Sequence, residues 1–194
     1  MQPDPVSRDF SEVGQNTRSP IPLESELKIS MYEASVPVFA KVLGNLAAIL
    51  EKAAAHAEAK KIDPAVLLQS RLAPDMFPLV RQVQIAADAA KGGAARLAGV
   101  ELPSYEDNEA SLPELVQRLK KTVAFLETLK PASFEGSEDR TVTWKTRTAE
   151  KSMVGMPYLL THVTPNLFFH VTTAYNILRH NGVEIGKQDF LGRS

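Results

Sequence analysis

Residues 32–60 read YEASVPVFAKVLGNLAAILEKAAAHAEAK, with an apolar side chain at every third or fourth position. The apolar positions that keep this spacing are Val36, Phe39, Leu43, Leu46, Leu50 and Ala53. Such spacing puts them on one face of an α-helix, which other helices must cover. Pro37 falls in the first turns, where proline is tolerated. The stretch therefore predicts a long helix that forms one seam of a helical bundle.

Three further segments show helical spacing of apolar residues, at about 75–97, 111–130 and 157–180. The segment at 111–130 opens with a capping box, because Ser111 is followed three residues later by Glu114. Alanine dominates the second half of 75–97, so a neighbouring helix can approach closely there. With the first stretch, these segments predict an all-α fold of four long helices.

The connections between these helices differ in length and composition. We expect a short helix at 64–68 after an Asp63 cap, and a loop at 100–110 with Pro103 and four acidic residues. The long polar connection at 131–152 contains an alternating piece, 141–145, that fits a small hairpin. Because up-down bundles use short loops, the length of this connection predicts a crossover before the last helix.

Two details near the carboxyl end leave alternatives open. Pro165 lies inside the last helical segment, so either the helix kinks there or a new helix starts with Thr164 as its N-cap. The tail after Gly182 reads as irregular, and we expect Phe190 and Leu191 to pack back onto the bundle.

Composition excludes several classes of function. The net charge is −1 and there is no long basic run, so a charge-driven nucleic-acid surface is not expected. The absence of cysteine removes thiolate metal sites, disulfides and cysteine nucleophiles, and it fits a reducing, cytoplasmic setting. No apolar run approaches the length of a membrane span, so no membrane partner is expected.

The first thirty residues lack a helical period and contain four prolines. They have no continuous apolar stretch of the kind found in a signal peptide. We predict a flexible extension at 1–30 and a helical domain at 31–194. The open alternative is an ordered arm that packs on a neighbour.

His170 is the best candidate for a functional side chain. On a helical wheel it falls within the apolar face of the last helix, and Asn166 lies one turn earlier, toward the edge of that face. A buried polar group needs a hydrogen-bond partner. His170 is therefore either a core histidine bonded to an amide or a carbonyl, or an acid–base group or metal ligand at a cavity between helices.

Other polar residues extend this candidate site. Gln82 and Gln84 flank the apolar stripe of the helix at 75–97, and Gln82 could face His170. Asp88 points away from that stripe and reads as solvated surface. Arg71 and Asp75 bracket the entry to the same helix, as a structural clamp or as the mouth of a pocket. Tyr175, Thr173 and Trp144 are further candidates for the rim of a pocket, or packing residues.

Several motifs occur in an order that is similar to a known family. They are Met31-Tyr32-Glu33-Ala34-Ser35-Val36-Pro37, Arg71-Leu72-Ala73-Pro74-Asp75-Met76-Phe77-Pro78, Pro165-Asn166 with Phe168-Phe169-His170, Ala174-Tyr175, and Leu178-Arg179-His180-Asn181-Gly182. Over residues 31–192 the chain resembles an uncharacterised bacterial family within the DinB/YfiT-like superfamily of proposed metalloenzymes. The resemblance implies a DinB-like four-helix bundle, up-down-down-up, with a long crossover before the last helix. It also implies a homodimer.

The same resemblance implies a metal site that this sequence matches only in part. The superfamily typically uses one histidine on helix two and an HxxxH pair on the last helix, and some members are thiol-dependent transferases. Only His170 matches, because Asn166 stands at the first position of the pair and Gln82 or Gln84 stands nearest on helix two. Such neutral donors hold zinc or nickel poorly.

Three functional hypotheses remain open at this point. The first is a bundle that binds a small molecule near His170 without the usual metal triad. The second is an enzyme that uses His170 as a general base or as the ligand of a divalent metal. The third is a non-catalytic bundle that acts through dimerisation.

Overall fold

The computed structural model describes residues 29–146 and 148–192, and four long helices make up about half of it. The elements in chain order are α1 (Val36–Lys60), α2 (Pro64–Gln69), α3 (Leu79–Ala98), α4 (Leu112–Thr128), β1 (Thr141–Lys145), β2 (Glu150–Val154), α5 (Gly155–Pro157), α6 (Thr164–His180) and α7 (Lys187–Leu191). A 3₁₀ turn covers Pro131–Phe134, and a π-helical turn, Tyr158–Val163, joins α5 to α6. The predictions for residues 1–28 lie outside the described residues.

One apolar core holds the long helices together. α1 packs chiefly against α4, α3 packs against α6, and α3 also contacts α4. All six stripe positions predicted for the first helix are buried. The prediction of a mostly helical protein is confirmed, although the pair of strands makes "all-α" too narrow. The up-down-down-up order stays a prediction. None of the described helices is both long and apolar enough to cross a membrane.

Local sequence explains where the helices begin. The Ser111 hydroxyl accepts a hydrogen bond from the backbone amide of Glu114, and the Glu114 carboxylate accepts one from the backbone amide of Ser111 at 3.0 Å. The predicted capping box is therefore present. α3 begins at Leu79 and not near Asp75, because Pro78 disfavours helical geometry at the residue before it. α1 likewise begins at Val36, after a turn at residues 31–35.

The predicted hairpin forms and lies next to α3. β1 and β2 pair antiparallel, with Trp144 opposite Lys151. Val142 is buried, while Trp144 is partly buried against the core. The hairpin thus brings an indole ring to the face that α3 shares with the last helix.

The helical run that ends in α6 passes through Pro165 without a new N-cap. Val163 and Thr164 both have right-handed helical geometry, so of the two alternatives, a new helix with Thr164 as its N-cap is wrong. The π-helical turn ends at Val163, two residues before Pro165, and a wider turn relieves the clash of a proline ring with the preceding turn. The Thr164 hydroxyl is buried without a hydrogen-bond partner in the described part of the chain.

A glycine allows α3 and the last helical run to approach each other closely. A Cβ atom added at Gly93 would lie 2.3 Å from Cγ1 of Val163, closer than carbon atoms pack. The alanine-rich half of α3 therefore does accept a close neighbour, as predicted. This contact fixes the position of the π-helical turn against α3.

The tail is more ordered than predicted. α7 covers five residues, and the amide of Asn45 donates to the Phe190 carbonyl at 3.0 Å. The ring of Phe190 lies edge-on to Tyr175, so its predicted packing is confirmed. The side chain of Leu191 is 48% exposed, and the prediction that it packs onto the bundle is wrong.

Candidate functional site

His170 is buried on α6 and bonds across to α3. Its Nδ1 lies 2.7 Å from Oε1 of Gln82, while Nε2 of Gln82 donates to the Phe77 carbonyl at 3.0 Å. Since the second bond turns the amide oxygen toward the imidazole, we assign the ring proton to Nδ1. Burial, and secondarily the charge of Arg81, lowers the pKa of His170. His170 is therefore a neutral histidine within a structural hydrogen bond.

Asn166 does not share that hydrogen bond. It is partly buried and lines a cavity of about 270 Å³ between α3, β1 and the last helical run. The cavity is lined by Arg81, Ile85, Asp88, Ala89, Arg96, Trp144, Tyr158, His162, Val163 and Asn166. The predicted pair of Asn166 and His170 is thus separated, because the imidazole turns to Gln82 on α3.

The remaining predicted site residues lie away from this cavity. Gln84 donates to Glu109 at 2.8 Å and accepts from Arg81. Tyr175 packs on the tail. Arg71 donates to the Met76 carbonyl and forms no pair with the exposed Asp75, so the predicted clamp is wrong.

Stacked rings form one wall of the cavity. The ring centroids of the Trp144 indole and the His162 imidazole lie 4.9 Å apart, and the two ring planes differ by 29°. The ring of Tyr158 lies 5.6 Å from the same imidazole. Burial first, and then the charges of Lys151 and Arg96, lower the pKa of His162. This wall offers apolar ring surface next to positive charge.

Arg96 on α3 is a partly buried cation of the cavity lining. Its Nη1 donates to the Tyr158 hydroxyl at 3.2 Å. No carboxylate lies within ion-pair distance of Arg96 among residues 29–146 and 148–192. Arg81 differs, because it forms an ion pair with Asp107. The guanidinium of Arg96 therefore keeps most of its donors for another acceptor.

A buried charge network that borders the cavity through Asp88 was not predicted. The side chain of Arg118 is 2% exposed and pairs with Asp88, Asp107 and Glu109 at 2.9–3.0 Å. Lys91 also pairs with Asp88, at 3.1 Å. Asp88 is 42% exposed but pairs with both cations, so its interpretation as solvated surface holds for only part of the side chain. The acidic residues of the loop at 100–110 were the sequence signal for this network.

The cavity residues on α3 could have been found from their spacing. Ile85, Asp88 and Ala89 follow Arg81 by four, seven and eight residues, and Arg96 follows Ala89 by seven, so all five share one face of the helix. Of these five residues, only Asp88 was interpreted from the sequence, as solvated surface. Of the pocket-rim candidates, Trp144 does line the cavity, whereas Tyr175 and Thr173 do not.

The residues near His170 do not fit the metal site implied by the resemblance. Within the described ranges, no group of three histidine, cysteine, aspartate or glutamate side chains is placed to hold a metal ion. Oε1 of Gln82 is already bonded to the imidazole, and an amide is a weak ligand for zinc. We derive no step through a metal from this arrangement.

Comparisons with known proteins agree on one family. A family model described as a domain of unknown function, DUF1993, matches residues 31–191. A DinB family member protein from Shewanella denitrificans, known from a crystal structure, is 47% identical. That similarity covers 84% of this chain and 92% of the other, with a TM-score of 0.79. The search of the curated proteins finds no match.

Proposed function

This chain belongs to the DUF1993 family of DinB-like proteins, and we propose that it binds a small molecule in the cavity between α3, β1 and the last helical run. The observation that carries the proposal is that ring surface and unused polar groups converge on one concave space of about 270 Å³. Pockets for small molecules combine an apolar wall with a few placed polar groups. Here Trp144 supplies ring surface, while Asn166 and Arg96 supply the polar groups.

The volume limits the size of the ligand. Small-molecule pockets commonly measure about 300–1,000 Å³, so this cavity suits a molecule of one ring or of similar bulk. The close packing of Gly93 on Val163 supports one wall, since it ties the π-helical turn to α3. A site built on rigid helices holds its polar groups in place before the ligand arrives.

Fluorescence of Trp144 tests the proposal directly, because the chain has one tryptophan. Benzoate, benzamide and benzamidine form a panel of one-ring probes that differ in charge. We expect at least one probe to shift the emission of Trp144 with saturation. If none of them changes the fluorescence or the amide NMR signals of the cavity residues at millimolar concentration, the proposal is wrong.

A pair of substitutions distinguishes the cavity from the surface. Ala89→Phe adds a ring inside the cavity and should abolish binding of the probe. Ala55→Phe adds the same ring to an exposed position of α1 and should leave binding unchanged. Equal binding by both variants would place the probe elsewhere and would contradict the proposal.

Dimerisation stays a separate prediction, which light scattering at micromolar concentration measures.

A further inference from the structure

We infer that the ligand of this cavity carries an oxyanion, a carboxylate or a phosphate, and that Arg96 binds this group. The inference rests on the proposed function, since it names the chemical class that the same cavity accepts. It follows from the charges that face the cavity, from the unused donors of Arg96, and from a glycine that makes room for its guanidinium.

The charges of the cavity wall leave a positive excess. Asp88 is the only carboxylate among the described residues that line the cavity. It is already held by Arg118 at 3.0 Å and by Lys91 at 3.1 Å. Arg81 is paired with Asp107, so Arg96 is the cation of the wall without an anionic partner among the described residues.

The pKa shifts of His162 and His170 also indicate a positive potential near the cavity. Beyond the effect of burial, the pKa of His162 is lowered by Lys151 and Arg96, and the pKa of His170 is lowered by Arg81. Each of these contributions comes from a cation. An incoming anion therefore meets a favourable field on this side of α3.

The donors of Arg96 are largely unused. A guanidinium has five N–H donors in a planar fork, which matches a carboxylate or a phosphate. Among the described residues, the guanidinium of Arg96 forms one hydrogen bond, which it donates to the hydroxyl of Tyr158. These free donors can form charge-assisted hydrogen bonds with a bound oxyanion, which are stronger than hydrogen bonds between neutral groups.

Gly92 holds the guanidinium in this position by leaving space for it. A Cβ atom added at Gly92 would lie 2.6 Å from Nη1 of Arg96. The side chain of Arg96 thus folds over the backbone of α3 one turn earlier, and its Nη1 reaches the hydroxyl of Tyr158 in the cavity wall. Because arginine is flexible, Gly92→Ala can push the guanidinium aside without disturbing the core.

The experiment compares probes of one size and different charge. Titrations of Trp144 fluorescence use benzoate and phenyl phosphate as oxyanions, benzamide as the neutral match and benzamidine as the cation. We expect at least one oxyanion to bind about tenfold more tightly than benzamide, as for a charge-assisted hydrogen bond. The stronger of the two oxyanions identifies carboxylate or phosphate as the natural group.

Variants then assign the effect to Arg96. Arg96→Gln should reduce oxyanion affinity to the level of benzamide, whereas Arg179→Gln removes an exposed arginine from the far end of α6 and should change nothing. Gly92→Ala should weaken oxyanion binding while unfolding stability is kept or raised. Weaker oxyanion binding without a loss of stability would not arise if Arg96 had only a structural role. Gly92→Ala also tests the inference if Arg96→Gln fails to fold.

The possible outcomes separate the two proposals. If benzamide binds as tightly as the oxyanions, or if Arg96→Gln and Gly92→Ala bind them normally, the inference is overturned and the cavity remains a binding site. If oxyanions bind without a response of Trp144, they occupy another surface and the inference also fails. If no probe binds at all, the proposed function itself is wrong.

Discussion

Gly93→Ala perturbs the closest contact between α3 and the last helical run. The new methyl would lie 2.3 Å from Cγ1 and 3.0 Å from Cγ2 of Val163. Carbon atoms pack best at about 3.5–4.0 Å, so the two helices must separate or Val163 must leave its rotamer. Either change moves the wall of the cavity, because Val163 lines it.

The expected magnitude follows from two opposing effects. Replacing glycine by alanine inside a helix stabilises it by roughly 1 kcal/mol. Overpacking a buried contact costs about 1–3 kcal/mol. Since both Gly93 and Val163 are enclosed, we expect the free energy of unfolding to fall by about 1 kcal/mol.

Gly44→Ala is the matched control, because it makes the same chemical change in α1. Gly44 is exposed, and a Cβ atom there would meet nothing within 4 Å. This variant should gain roughly 1 kcal/mol, so the two variants should differ by about 2 kcal/mol. Denaturant unfolding followed by far-ultraviolet circular dichroism measures both free energies.

The result that would refute the reasoning is equal stability of the two variants. A second check uses Val163→Ala, which removes the methyl groups that Gly93→Ala would strike. In that background, Gly93→Ala should cost less than in the original chain. If the double variant shows simple additivity, the helices do not meet at this contact.

Three further predictions concern the buried polar groups. Gln82→Leu should lower the free energy of unfolding by about 1–3 kcal/mol in denaturant titrations, because it leaves Nδ1 of His170 without its partner. If the stability losses of Gln82→Leu and His170→Leu simply add in the double variant, the prediction is contradicted. Arg118→Met should lower the free energy of unfolding by about 3–5 kcal/mol, because three carboxylates lose their buried partner. The control Lys120→Met breaks an exposed ion pair and should lower it by less than about 1 kcal/mol. Similar losses of stability in the two variants would contradict this prediction. Because burial and Arg81 lower the pKa of His170 in the folded state, the unfolded chain takes up this proton first as the pH falls below 6.5. Stability should therefore be complete above that pH and decline below it, by up to about 1.4 kcal/mol per pH unit, and His170→Gln should decline less steeply in the same titration.

Residues whose role is set by near neighbours in the chain were predicted well. The stripe from Val36 to Ala53 was placed in the core, and the cap at Ser111 was located to the residue. Both follow from helical geometry and from hydrogen bonds that span three or four residues. The start of α3 was missed because the restriction imposed by Pro78 was not weighed against the apolar spacing.

The candidate site was predicted in part. His170 was expected to face inward with a glutamine as one of its open partners, and its Nδ1 does lie against Gln82. Asn166 was grouped with His170 from their spacing, yet it faces the neighbouring cavity. Arg96 was missed, because an arginine on the polar face of a helix is ordinarily solvated.

By itself, then, the sequence determined the helices, their apolar faces and the polar break before the last helix, because periodicity and capping are local properties of the chain. Only the tertiary structure decided that Trp144, Arg96 and His162 meet around one cavity, and that Arg118 pairs with three carboxylates, one of which, Asp88, borders that cavity. The physical reason is that these groups come from elements far apart in the chain. Their distances depend on how closely α3 approaches the last helical run, and a missing side chain at Gly93 sets that approach.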